Sequence, residues 1–197
     1  MNKTVKYIIW FVVIAVCCIV SVRIQTIEEY KNSQRDGSLD AAAEVGKFWQ
    51  TDFKDMKQSA IPLADLEANP ELAKEKGNTV GIGAPYSVSV KIDKANVSDV
   101  NAETAALDIQ GCKQKYVLRH AMIFGGSIRE ASKAFKVDDY TKLLDFNKIS
   151  TELNMRIENK LKGKLKAGNT YTVYAVMDIP QDKPLPETIE LIPFCVE

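Results

Sequence analysis

The chain has 197 residues, 46% of them hydrophobic, and its 26 basic side chains balance 26 acidic ones. That length suits one domain plus an anchor, and the apolar content is enough for a packed core. With no basic excess to meet phosphates, nucleic acid is excluded as the expected partner.

The first element is an uncharged run at residues 7–22, YIIWFVVIAVCCIVSV, preceded by Lys3 and Lys6 and followed by Arg23. Two readings stay open. A secretory signal has a basic start, an apolar core of about 7–15 residues and a small-residue cleavage site. Ile14-Ala15-Val16-Cys17 loosely resembles a lipobox, which would make Cys17 or Cys18 the lipidated residue. Apolarity continues past the cysteines, however, and a spanning helix needs about 20 residues. Residues 5–24 reach that length if Lys6 and Arg23 snorkel to the headgroups. Either way residues 1–23 are a membrane anchor or lipoprotein signal, and the rest is expected on the periplasmic or extracellular side. Beyond the anchor, acidic residues exceed basic ones by three.

Residues 24–37 are polar and without period, which reads as a stalk. A helical segment is expected over 38–84. Ser38 is a candidate N-cap, and Val45, Phe48, Trp49, Phe53 and Met56 form an apolar stripe on a helix of roughly residues 39–59. Pro62 interrupts. Leu63–Ala68 and 71–76 are two short helical pieces, closed by Gly77, and residues 81–85, GIGAP, form a hinge.

From residue 85 the period changes to two. Tyr86, Val88, Val90 and Ile92 alternate with polar residues in a half-buried strand, and Ala105, Leu107 and Ile109 mark a second. A turn at Gly111 leads to a third around 115–120. After Gly125-Gly126, Ser127 and Glu130 read as a capping box, and Asp138 or Asp139 starts a further piece. A longer helix then carries Phe146, Ile149, Leu153, Ile157 and Leu161 on one face. Val173, Ala175 and Met177 mark a fourth strand, and Ile189, Leu191 and Cys195 a fifth. Pro193 puts that last strand at an edge or a bulge. Three strands, a helix and two strands is the order of an OB-type barrel. The expected fold is therefore mainly β with helices (α+β): a five-stranded OB-fold-like antiparallel barrel over residues 85–197.

Chemistry is sparse. His120 is the only histidine, so no metal site is expected, no cofactor is implied, and no nucleophile–base pair can be assembled; the chain does not read as an enzyme. Cys112 and Cys195 are expected as free thiols, although an oxidising compartment would permit a bond. Ser127 and Arg129, at a helix start after two glycines, are candidates for a ligand or partner surface, with Trp49 a further candidate. Lys160, Lys162, Lys164 and Lys166 straddle the end of the long helix, where they either complement its dipole or face anionic lipid.

With those residues located, the chain resembles an uncharacterised family of bacterial periplasmic lipoproteins of unknown function (DUF2291-like, an OB-fold variant). The likeness rests on Gly126-Ser127-Ile128-Arg129-Glu130-Ala131, on Val137-Asp138-Asp139-Tyr140-Thr141 and on Leu153-Asn154. Residues 42–49 and 189–193 are similar to the family's first helix and last strand. Lys142-Leu143 departs from the family pattern, where Asn-Gln would follow. The resemblance implies a membrane-tethered binding or scaffolding module, accessory to a sugar ABC-type transport system, with transporter subunits as partners. The alternative is a small-ligand lipoprotein that binds carbohydrate.

Overall fold

The computed structural model describes residues 39–181 and 183–197. The anchor, with Cys17 and Cys18, the stalk and Ser38 lie outside the described residues. Among the described residues no helix is long and apolar enough to cross a membrane. Asp40–Glu197 form one compact unit.

The first helical stretch is two helices, α1 (Ala41–Gln50) and α2 (Asp52–Gln58). Asp40 caps α1 by accepting from the Ala43 N–H at 3.0 Å. The single helix expected over 39–59 is corrected at Thr51. Its hydroxyl bonds the Lys47 carbonyl and Asp52 Oδ2, offering the backbone an alternative to the helical ladder. The expected short helices follow as α3 (Leu63–Ala68) and α4 (Leu72–Lys76), closed at Gly77. Between α2 and α3, β1 (Ile61–Pro62) runs parallel to the next strand, a pairing too short to leave a period in the sequence.

The barrel is built from β2 (Tyr86–Val100), β3 (Thr104–Asp108), β4 (Lys115–Arg119), β5 (Thr170–Ile179) and β6 (Thr188–Val196). Neighbours run β2-β3-β4-β6-β5, and β5 pairs back to β2, so the sheet closes. The β4–β6 pair is parallel; the other barrel pairs are antiparallel. Closure depends on β2 serving two neighbours. Its first two-thirds pair with β5 and its end with β3, with register shifts after Ile92 and Val97. An extra residue at each shift bends and twists the strand, which lets one fifteen-residue strand turn the corner.

Val88, Val90, Ile92, Val97, Leu107, Leu118, Val173, Ala175, Met177 and Leu191 fill the interior. The expected half-buried character of β2 needs correction, because Ser87 and Ser89 are buried as well. The reason lies outside the barrel: α5 (Ser127–Ser132) packs across that face of β2. The long helix, α6 (Leu143–Leu161), buries the expected Phe146, Ile149, Leu153, Ile157 and Leu161. Of the two places offered to Pro193, the structure selects the bulge. β6 lies between β4 and β5, and Phe194 is the extra residue between Pro193, opposite Ala175, and Cys195, opposite Tyr174. Phe194 is thereby buried beside Phe53, with ring centroids 5.9 Å apart.

Candidate functional site

The site is a cleft of about 390 Å³ between residues 123–126 and α6, lined by Phe124, Gly126, Arg129, Ser150, Asn154 and Met155 among others. It lies where the sequence places its glycine pair. Gly125 has φ +84°, a left-handed conformation that only glycine adopts without strain. Gly126 has no room for a side chain, since a Cβ there would stand 2.7 Å from Arg129 Nη2.

Arg129 forms the floor and is only 6% exposed. Its Nε and Nη2 donate to Glu130 Oε1 at 2.9 and 2.6 Å, and Nη1 donates to the Phe146 carbonyl at 3.0 Å. The guanidinium lies 3.4 Å above the Phe146 ring, whose other neighbour is Tyr140, 5.3 Å away between centroids. Asn78 donates to the Glu130 carbonyl, tying in the segment before β2. Every part of this arrangement neutralises or covers the charge: the group is a buried clamp between α5 and α6 at the base of the cleft, not an exposed surface side chain.

The capping box is corrected too. The N-cap of α5 is Gly126, with no side-chain cap bond. Ser127 Oγ instead donates to Asp178 Oδ2 at 2.6 Å, while Ser87 Oγ donates to Oδ1 of the same carboxylate at 2.7 Å. Asp178 thus pins α5 to the barrel, and Ser127 takes no part in the cleft. The stretches that carry the resemblance do converge here. Arg129 from the first, Tyr140 from the second and Asn154 from the third surround Phe146 and the cleft.

The cleft wall has a latch on each side of one residue. Glu158 Oε1 accepts from the Ile123 N–H at 2.6 Å, and Asn154 Nδ2 donates to the Gly125 carbonyl at 3.1 Å. Between them Phe124 stands 74% exposed, with Met122 and Met155 each about half exposed. Ser150, which lines the cleft, has a buried hydroxyl with no hydrogen-bond partner. Sequence reading missed Phe124 and the α6 residues; the apolar Met122-Ile123-Phe124 run before two glycines was the available signal.

Trp49 lies elsewhere, half-buried on α1. It stacks on Phe53 at 4.4 Å and carries Lys160 Nζ 4.1 Å from its ring centre. Tyr174 is covered by Lys57, whose Nζ lies 4.6 Å from the ring centre. Cys112 and Cys195 are free. Burial and the nearby Glu67 carboxylate push the Cys112 thiol up to about 11, which keeps it protonated and unreactive at neutral pH. His120 rests on the Asn101 carbonyl at 3.2 Å. Among the described residues no three His, Cys, Asp or Glu side chains gather to hold a metal ion.

The family model described as "Predicted periplasmic lipoprotein (DUF2291)" matches residues 12–197. A crystal structure of an OB-fold protein from Thermotoga maritima is similar with a TM-score of 0.64 at 21% identity. That match covers 81% of this chain and 98% of the Thermotoga chain, and it shares the fold. A comparison with curated proteins finds no match.

Proposed function

This chain belongs to the family of predicted periplasmic lipoproteins (DUF2291), and on that premise we propose that it is a membrane-tethered periplasmic binding module. Its recognition element is Phe124 at the mouth of the α6 cleft, and its occupant is a protein partner. The observation that carries this reading is the double latch. Ile123 and Gly125 are each held by a side chain of α6, so an exposed aromatic is presented on fixed backbone. Presenting an apolar anchor in place lowers the ordering cost of binding, and aromatic anchors of this kind carry much of the energy at protein interfaces.

The reading assigns no catalysis. The Ser87 and Ser127 hydroxyls are both spent on Asp178. Transporter subunits of a sugar ABC-type system are the partner class that the resemblance implies. The test is a photo-crosslinking residue in place of Phe124 in the full-length protein in its native membrane. Transporter subunits among the products support the accessory role, and another protein captured there supports a different partner. A crosslink yield no greater than from exposed Lys166, outside the cleft lining, sinks the protein-binding reading.

A second reading rests on Ser150. A buried hydroxyl without a partner, beside Asn147 and Thr151 in the same lining, favours a small neutral polar ligand such as a carbohydrate. The cleft falls within the size range of about 300–1,000 Å³ usual for such sites. A thermal-shift screen of sugars that raises the unfolding temperature of the wild type and not of Asn147→Ala supports it.

A further inference from the structure

The four lysines at the end of α6 stand without a carboxylate among the described residues. Among the described residues, no ion pair is formed by Lys160, Lys162, Lys164 or Lys166, although neighbouring cations are matched: Arg156 by Glu152, Lys57 by Glu197 and Lys47 by Glu44. The segment that carries them is fixed. Leu165 is buried in the barrel cluster. The Tyr171 hydroxyl bridges its backbone, donating to the Lys164 carbonyl at 3.0 Å and accepting from the Lys166 N–H at 3.2 Å. Lys162, Lys164 and Lys166 are therefore held out from rigid backbone, exposed on every side.

Beside Lys160 lies Trp49, stacked on Phe53 and capped by the lysine ammonium. Crowding is visible at Lys160, whose ammonium is held below its usual range by burial and by the nearby cations Arg156 and Lys164. A half-exposed indole capped by Lys160, with three exposed lysines on the segment that follows, is a composition that favours the headgroup layer of a bilayer, where tryptophan collects and lysine meets anionic lipid. The same element receives the chain from the stalk. Trp49 sits near the far end of α1, about 13 Å along the helix axis from its Asp40 cap.

We propose that this face, Trp49 with Lys160, Lys162, Lys164 and Lys166, docks on the anionic headgroups of the membrane to which the chain is tethered. The inference rests on the tether of the preceding section and adds an orientation to it. The docked face holds α1 and the end of α6 against the bilayer and fixes which way the remaining surface, the Phe124 cleft included, points.

The experiment uses the full-length protein in lipid nanodiscs, made either of zwitterionic phosphatidylcholine alone or with a third of phosphatidylglycerol. Hydrogen exchange is followed by mass spectrometry. The expected result is slower exchange in peptides covering 46–54 and 158–168 in the anionic discs only. That protection should be lost in 0.5 M salt and in Lys162→Ala/Lys164→Ala/Lys166→Ala, and kept in the triple arginine variant. Equal exchange in the two lipids, or protection confined to another face, overturns the docking while leaving the tether intact. A chain that leaves the disc on gel filtration overturns the tether and the docking with it. A triple alanine variant that unfolds earlier, with the exchange pattern of the wild type, assigns the lysines to the helix dipole instead.

Discussion

Arg129 and Glu130 are adjacent in sequence and yet form a buried ion pair, Nη2 to Oε1 at 2.6 Å, with both side chains less than a tenth exposed. Such a pair tolerates the loss of neither partner. Arg129→Ala leaves Glu130 as an uncompensated buried charge and is expected to cost about 3–5 kcal/mol. A urea titration of the full-length protein in detergent micelles measures it. Arg129→Met/Glu130→Met should cost less than the two single changes added together, because the apolar pair leaves no stranded charge. Strict additivity would refute the coupling.

Gly125 and Gly126 are needed for different reasons, and alanine separates them. At Gly126 the new Cβ meets Arg129 Nη2 at 2.7 Å, so the guanidinium must move off its partners, at about 1–3 kcal/mol. At Gly125 the space is open and only the positive φ is strained, for about 1 kcal/mol. In the Arg129→Met background the Gly126→Ala cost should shrink, whereas the Gly125→Ala cost should persist. Denaturant midpoints of the four combinations decide the matter.

Two neighbours on α6 should respond in opposite directions. Ser150→Ala deletes a buried hydroxyl that bonds nothing, so stability should hold or rise by up to about 1 kcal/mol. Asn154→Ala removes the latch on Gly125 and leaves a carbonyl without its donor, for a loss of about 1–3 kcal/mol. Thermal unfolding of both variants is the check, and a loss at Ser150 would show that its hydroxyl has a partner after all.

Phe124 is exposed, so Phe124→Ala should change stability by no more than about 0.5 kcal/mol. It should nevertheless abolish recovery of whatever protein is crosslinked from the cleft rim. Retained recovery at unchanged stability would remove Phe124 from the recognition surface.

Alkylation by iodoacetamide reports the Cys112 environment. Its folded pKa lies near 11, above the ordinary thiol value, because burial and Glu67 both disfavour the thiolate. The rate at the Cys112 peptide should therefore keep rising well past pH 9 instead of levelling there. Sign follows from the same shift: the unfolded thiol loses its proton first, so this group's contribution to stability is full below the ordinary thiol pKa and falls as pH rises from there towards 11. Glu67→Gln should lower the pH at which the rate levels off; an unchanged profile would remove the carboxylate as a cause.

Much of this was legible in the residues. Period-two runs located four barrel strands and the turn at Gly111 the third in order, and the spacing of Phe146, Ile149, Leu153 and Ile157 located α6, because one-sided burial imprints a period on the sequence. Ser87 and Ser89 were misread as solvent-facing for the same reason. A small hydroxyl carries no mark of the helix that covers it. Arg129 was placed on the surface because it stands at a helix start after two glycines, and its pairing with the adjacent Glu130 leaves no mark in the sequence, since adjacent helical residues do not ordinarily face each other. The break at Thr51 was hidden as well, since its cause is a side-chain bond to the Lys47 carbonyl and not a proline or glycine.

The sequence by itself therefore determined the apolar anchor run, the order of the five barrel strands and the long helix, and the barrel's inward faces, all of which follow from local pattern. Tertiary structure decided which polar groups meet. It took Ser127 to Asp178, Glu158 to the Ile123 amide and Asn154 to the Gly125 carbonyl, pairs separated by 29 to 51 positions. Hydrogen bonds between such distant residues leave no period behind, and they alone turn a glycine loop into a cleft with Phe124 held at its mouth.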